Sequence, residues 1–433
     1  MQRKIASGGL RMVAHLGVRM SRRRATMLAV AFALFSPAAL AQSGPPITIG
    51  YGISQTGGLA PNGKSALLAQ KIWEEDINAK GGLLGRPVKL VYYDDQTNPA
   101  SVPGLYQKLL DIDKVDIVIG GYGTNLLAPT MPVVIQKKKM LIGLFGMAVN
   151  SEFNYPNYFS MIPLGPTPKS AATKGFFQAA VAQNPKPETV AIVAADAEFP
   201  INGSEGAREN IKATGLKIVS DRRDPPATTD FTPIVRAIQA TNPDIVAIFS
   251  YPPDSVGMVR AVNELGFKPK MIGGGMVGLQ ATAIKMQLGP LLNGFINYDF
   301  WLPIEKMNFP GVTEFMKRYQ ARASAEGVDP LGYYIAPWGY AQLQVLEQAV
   351  AATKSLDDDK LADYIRATTF KTVVGDVRFG RQGEWEQERV LQVQFQHIKG
   401  NDIGQFKDIS TQVVVTPPEY KSGDVIYPYA NAK

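Results

Sequence analysis

The tightest constraint on the fold is a short β-branched run that ends in glycine and passes straight into a helix start. Residues 115–119 (VDIVI) form such a run, closed by Gly120-Gly121. Apolar on nearly every position, it reads as a strand buried on both faces, as in a parallel sheet. Thr124-Asn125 then supply capping chemistry for a helix through Leu126 and Leu127. The first N–H groups of such a helix have no intrahelical partner and favour an anion. In open α/β sheets, ligands bind beyond the carboxyl ends of the strands, where this loop should fall.

The same rhythm recurs along the chain. Strands are expected at 47–53, 88–93, 115–119 and 140–144, with helices at 65–78, 101–110 and 126–137. The pattern then restarts after a helix at 169–182. Strands are expected at 189–194, 217–220, 244–249 and 271–272, the last before Gly273-Gly274-Gly275, with helices at 203–213, 231–240 and 255–265. The runs at 115–119 and 243–248 share one local pattern, Asp-Ile-Val followed by Ile or Ala-Ile. The fold class implied is α/β, as two doubly wound parallel-sheet lobes rather than one large sheet. After 295–301 come helices at 312–325, 334–353 and 361–367, and Trp73, Trp338 and Tyr340 sit at helical spacing as core residues. Short strands are expected at 373–379, 390–396, 405–409 and 412–416.

Composition removes several function classes. There is no cysteine, which excludes disulfides, thiol catalysis and thiolate metal sites. The two histidines, His15 and His397, leave little for a histidine metal centre or a serine–histidine hydrolase. No cofactor and no metal are expected. The formal charge of +7 misleads, because Arg3, Lys4, Arg11, Arg19, Arg22, Arg23 and Arg24 all fall in residues 1–41, which hold no acid. Without them, 38 basic residues face 38 acidic ones, so no bulk charge favours nucleic acid or an anionic membrane. Arg22-Arg23-Arg24, an apolar run at 27–35 and Ala39-Leu40-Ala41 have the layout of a cleavable export signal. The run is shorter than the ~20 residues that span a bilayer. Cleavage is expected after Ala41, with no stable membrane insertion.

One motif suggests a different chemistry. Residues 58–65 (GLAPNGKS) fit G-x-x-x-x-G-K-[ST], and Asp94-Asp95 follow a later strand. In a P-loop-like nucleotide-binding protein, Lys64 would reach a terminal phosphate and Ser65 would hold Mg²⁺. Against this, Ser54–Gly57 separate the strand from the first glycine, Pro61 stiffens the loop, and an exported chain meets little ATP.

Taken together, 47–100, 115–129 (VDIVIGGYGTNLLAP), 191–207 (AIVAADAEFPINGSEGA) and 244–267 (DIVAIFSYPPDSVGMVRAVNELGF) resemble the periplasmic Leu/Ile/Val-binding-like receptors of ABC importers. The most specific elements are TGGLA and INAKGGLLGRPV followed by Asp94-Asp95. The resemblance spans 47–400 and implies a type I periplasmic-binding fold with three hinge segments, near 161–166, 293–298 and 372–377. It implies a signal peptide at 1–41, a first lobe from 47–162 and 297–373, a second from 163–296, and C-terminal strands and tail at 374–433. It places the phosphate-loop lookalike in the family's TG-x-x-A-x-x-G segment. The implied action is closure on a small-molecule ligand in the periplasm, without catalysis, for delivery to an ABC-transporter membrane permease.

The family holds an amino-acid carboxylate through a small hydroxyl residue, which matches Thr124. Amino-acid receptors then place a small residue and a threonine where this chain has Phe145 and Met147, around Gly146. The acid that meets the ammonium group matches 273–278 (GGGMVG), which has none. A buried ammonium without a partner costs several kcal/mol. The expected ligand is therefore a small hydrophobic or aromatic carboxylate, with room for it between Tyr122, Thr124, Phe145, Gly146, Met147, Phe199, Tyr251, Met276 and the helical Tyr334. The alternative is a branched-chain amino acid, with Asp196 or Glu198 supplying the missing charge.

Overall fold

The computed structural model describes residues 43–225 and 228–433; the expected export signal and its cleavage point lie outside them. Strand β1 (Ile47–Ile53) pairs in parallel with β2 (Val88–Asp94) and β3 (Ile117–Val118). A second parallel set follows, β4 (Gly120–Tyr122), β5 (Leu141–Phe145) and β6 (Tyr158–Ser160). The strand expected at 115–119 is thus split: Ile119 interrupts it, though its N–H still donates to the Gly50 carbonyl at 3.0 Å. The short β6 has no sequence counterpart above.

The larger sheet contains β7 (Thr189–Ala195), β8 (Lys217–Asp224), β9 (Ile245–Ser250), β10 (Met271–Met276) and β11 (Phe295–Asp299). A hairpin, β12 (Thr369–Thr372) and β13 (Gly375–Arg378), stands apart before β14 (Leu391–Phe395) and β15 (Gln412–Thr416) return to that sheet. Its order is β15-β14-β11-β10-β9-β7-β8, parallel from β8 to β11 and antiparallel at β14 and β15.

Several expectations change here. Gly273-Gly274-Gly275 do not follow the strand but lie inside β10, between β9 and β11. The single strand expected at 373–379 is a hairpin turning at Val373-Val374, tied to the helix Ala336–Thr353 by Gln344 Oε1 accepting from Val373 N at 2.8 Å. The stretch read as a strand at 405–409 contains a helical turn, Gly404–Lys407.

The shared Asp-Ile-Val pattern has one physical use in both sheets. Asp116 Oδ2 accepts from Thr48 N at 2.8 Å and Thr48 Oγ1 at 2.9 Å, and Asp116 N donates back to Thr48 Oγ1. Asp244 Oδ2 accepts from Glu188 N at 2.7 Å and Thr189 N at 3.3 Å, and Asp244 N donates to Thr189 Oγ1. Each carboxylate clasps the start of the neighbouring strand.

Helix Ala60–Ala79 packs on Ala336–Thr353, and buried amides join them to the sheet. Gln70 Nε2 donates to Gln342 Oε1 at 2.9 Å, while Gln342 Nε2 donates to the Gly120 and Ile142 carbonyls at 2.8 Å each. Trp73 and Trp338 are fully buried, as their helical spacing predicts, and the Tyr340 hydroxyl donates to Asp76.

Candidate functional site

The carboxyl ends of strands from both sheets converge on one small cavity, as expected for open α/β sheets. Tyr122 ends β4, Phe145 ends β5, Tyr251 follows β9, Val277 follows β10 and Tyr298 lies on β11. Gly123, Thr124, Met147, Ile162, Phe199 and Tyr334 complete the wall. Seven of the expected residues therefore meet: Tyr122, Thr124, Phe145, Met147, Phe199, Tyr251 and Tyr334.

Gly146 and Met276 do not line the cavity. Gly146 is packed beneath Leu127 and Val149, where a Cβ would come within 2.8 Å of each. Met276 is buried in β10 with its N–H donating to Asn297 Oδ1 at 2.9 Å, and the next residue, Val277, faces the site. Tyr298 escaped notice because its strand was read as a crossing segment. Its aromatic, β-prone run was the available signal.

The chain approaches Thr124 through Gly123, whose φ of +109° is open to glycine at little cost. Thr124 Oγ1 accepts from Met147 N at 3.0 Å, which leaves the hydroxyl proton free to donate. The N–H groups of Thr124 and Asn125 open a helical run that continues to Gln136, without intrahelical partners of their own. The Tyr122 and Tyr334 hydroxyls are 3.1 Å apart, and those of Tyr298 and Tyr334 3.5 Å apart. Burial holds the phenols of Tyr122, Tyr251, Tyr298 and Tyr334 well above their ordinary range, so they act as neutral donors and acceptors.

Room between the walls is smaller than expected. The space is ≈ 20 Å³, enough for about one water. The reason is ring packing: Phe145 meets Phe300, Tyr334 and Trp338 at 5.3, 5.6 and 5.4 Å, and Phe199 meets Tyr251 and Tyr298 at 5.9 and 6.1 Å. Anything larger than water would have to part these rings to enter.

Three polar contacts bridge the two sheet systems around the cavity. Tyr251 OH donates to Asn125 Oδ1 at 3.0 Å, Asn202 Nδ2 to the Met147 carbonyl at 3.1 Å, and Thr282 N and Oγ1 to Asp329 at 2.6 and 2.7 Å. Among the described residues no charged side chain lines the cavity, and Asp196 and Glu198 are not in its wall.

The phosphate-loop lookalike is arranged for another purpose. Its N–H groups turn inward: Ala60 N donates to Gly57 O, Gly63 N to Leu59 O, and Leu59 N to Thr97 Oγ1. Ser65 Oγ is bonded to Tyr319 OH at 2.6 Å, Asp95 takes the Ser54 hydroxyl, and Asp94 takes Gln55 N and the Thr56 hydroxyl. Lys64 is exposed. These groups are spent on holding the rim loop and do not converge on a phosphate.

Comparison with known proteins agrees with this geometry. The chain is 25% identical over 361 residues to a Leu/Ile/Val-binding protein homologue of Brucella abortus, covering 79% of this chain and 87% of the relative. In fold it is similar to a leucine-binding protein of Thermotoga maritima, with a TM-score of 0.71, 19% identity, and coverage of 82% and 96% of the two chains. It is likewise similar to an ABC-transporter solute-binding protein of R. palustris in complex with 4-hydroxybenzoate, with a TM-score of 0.69, 20% identity, and coverage of 82% and 94%. The family model described as periplasmic binding protein matches residues 46–397. Two α/β sheet systems facing one cavity, and a match across most of the sequence, place the chain in the periplasmic binding protein family, whose members are receptors and not enzymes.

Proposed function

We propose that this receptor closes on a small hydrophobic or aromatic carboxylate in the periplasm and presents it to a membrane permease. One observation carries the reading: the cavity wall holds six aromatic rings and no charged side chain. Rings suit a flat apolar body. The Thr124 hydroxyl and the free N–H groups at the helix start suit a carboxylate. An amino acid would leave its ammonium without a charged partner in the wall, since Glu198, though near Tyr251, does not line the cavity. Burial, with Glu152 nearby, raises the affinity of Glu198 for a proton. The 4-hydroxybenzoate held by the R. palustris neighbour supports the same ligand class.

Binding on this reading is closure driven by differential affinity. The ligand replaces ring–ring contacts with its own, and the cross-cleft hydrogen bonds then hold the lobes together. Asn202→Ala removes one of those bonds at a residue that does not itself line the cavity, releasing the Met147 carbonyl of the wall. A net ~1 kcal/mol per such bond predicts benzoate affinity weakened about fivefold and a larger radius of gyration in X-ray scattering. An unchanged affinity and radius would show that the Asn202 contact does not stabilise closure.

Calorimetric titration of the protein with benzoate, 4-hydroxybenzoate and leucine tests the assignment. Saturable binding of the aromatic acids, with compaction by scattering and no signal from leucine, is the expected result. Leucine binding tighter than either acid overturns it in favour of a branched-chain amino-acid receptor.

A further inference from the structure

A second polar cluster lies away from the cleft, where three distant segments meet at Pro163, Phe309 and residues 372–375. Arg389 reaches this junction after its N–H donates to the Pro163 carbonyl at 2.8 Å. Its guanidinium is boxed by rings, 5.1 Å from Phe309, 5.4 Å from Trp338 and 5.1 Å from Trp385. Among the described residues no carboxylate is within ion-pair distance of it. Arg389 Nε and Nη2 are buried without an acceptor, and so are the indole nitrogens of Trp338 and Trp385, whose rings lie 5.6 Å apart. Four buried donors in one cluster without an acceptor form an unusual concentration, since buried polar groups are nearly always satisfied.

Arg389 also borders a hollow of ≈ 590 Å³, well within the size of small-molecule sites. Phe309, Pro310 and Tyr420 give it an apolar wall. Its other charges cancel, because Lys371 Nζ is 2.5 Å from Asp376 Oδ2. Arg389 is left as the unbalanced cation. Burial lowers its pKa only to about 10, so it stays charged at neutral pH.

We propose that this hollow is a second binding site, taking a small organic carboxylate on the Arg389 guanidinium. A carboxylate in the hollow meets Nη1, the guanidinium nitrogen not shut away from it, in a charge-assisted hydrogen bond. One unbalanced cation suits a monoanion better than a phosphate dianion, and the apolar wall suits an organic body. Trp338 connects the two sites physically, since its ring lies 5.4 Å from Phe145 in the cleft wall and on its other contacts meets Arg389.

Crystals of the full chain soaked in 4-iodobenzoate test this directly. An anomalous iodine peak beside Arg389, separate from any peak in the cleft, is expected. Ordered water alone at Arg389 overturns the proposal, whatever the cleft contains. In calorimetry, benzoate should show a second binding event that Arg389→Gln weakens at least tenfold. An event of unchanged affinity in Arg389→Gln overturns the role of the guanidinium. Arg389-dependent binding of inorganic phosphate as tight as that of benzoate overturns the carboxylate assignment. If Arg389→Gln does not fold, the iodine map on the parent protein decides.

Discussion

Melting curves of Glu384→Gln should match the parent below about pH 4.5 and lie progressively above it as pH rises toward 8. Glu384 sits in a turn joined to β6, with Ser160 N donating to the Gly383 carbonyl at 2.8 Å. Its side chain is buried and neither carboxyl oxygen has a hydrogen-bond donor in range. Burial pushes its pKa up to about 8; the Ser160 hydroxyl is close enough to offset a little of this, yet not placed to bond either oxygen. The unfolded chain releases the same proton near 4.5. Between those values the folded state holds the extra proton, so stability falls as pH rises, and the full penalty stands above about pH 8. The linked free energy is on the order of 5 kcal/mol at its ceiling. Glutamine has a similar shape and nothing to ionise, so it removes the slope. Equal slopes in the two proteins would mean that water reaches the carboxylate in the native state.

Gly273→Val should abolish cooperative folding or cost more than about 4 kcal/mol in urea titrations. Gly273 lies mid-strand in β10 with φ at +151°, and a Cβ there would stand 1.7 Å from the Ile296 carbonyl oxygen on β11. That neighbour is backbone in a central strand and has nowhere to go. Gly104→Ala is the control. Nothing lies within 4 Å of its added Cβ, and it sits in the helix Val102–Gln107. It should be neutral or stabilising by up to about 1 kcal/mol. Comparable losses from both would remove the steric explanation.

These glycines also show where sequence reading runs out. Runs such as 47–53 and 189–195 declare themselves because β-branched residues are dense there. In β10 the same pairing is written with Gly273-Gly274-Gly275, and local propensity points to a loop. Only the closeness of β9 and β11 requires the missing side chains. The hairpin at Thr372–Gly375 and the helical turn at Gly404–Lys407 were hidden for a related reason. Few residues carry each signal, and tertiary contacts fix the outcome. In the site, Thr124 was legible from helix-start chemistry, whereas Phe145 and Tyr251 came only through the resemblance to the family's cleft loops. Val277 against Met276 was not legible, because one residue of strand phase decides which side chain faces the cavity. Nor could sequence foresee how tightly the rings interlock, since packing density depends on the whole assembly.

The paired aspartate–threonine clasps carry a wider consequence. Parallel partners are recruited from far along the chain, 68 residues apart for Thr48 and Asp116 and 55 for Thr189 and Asp244. No hairpin sets their phase, and a slip of one residue would turn every side chain to the wrong face. Each half of the molecule therefore has its own alignment key, located at the mouths of the strands and remote from the solute. Damage at the keys should slow assembly or misalign a sheet while leaving recognition intact in whatever fraction folds. The residues that choose the solute can then diverge at the opposite ends without disturbing how the strands find one another.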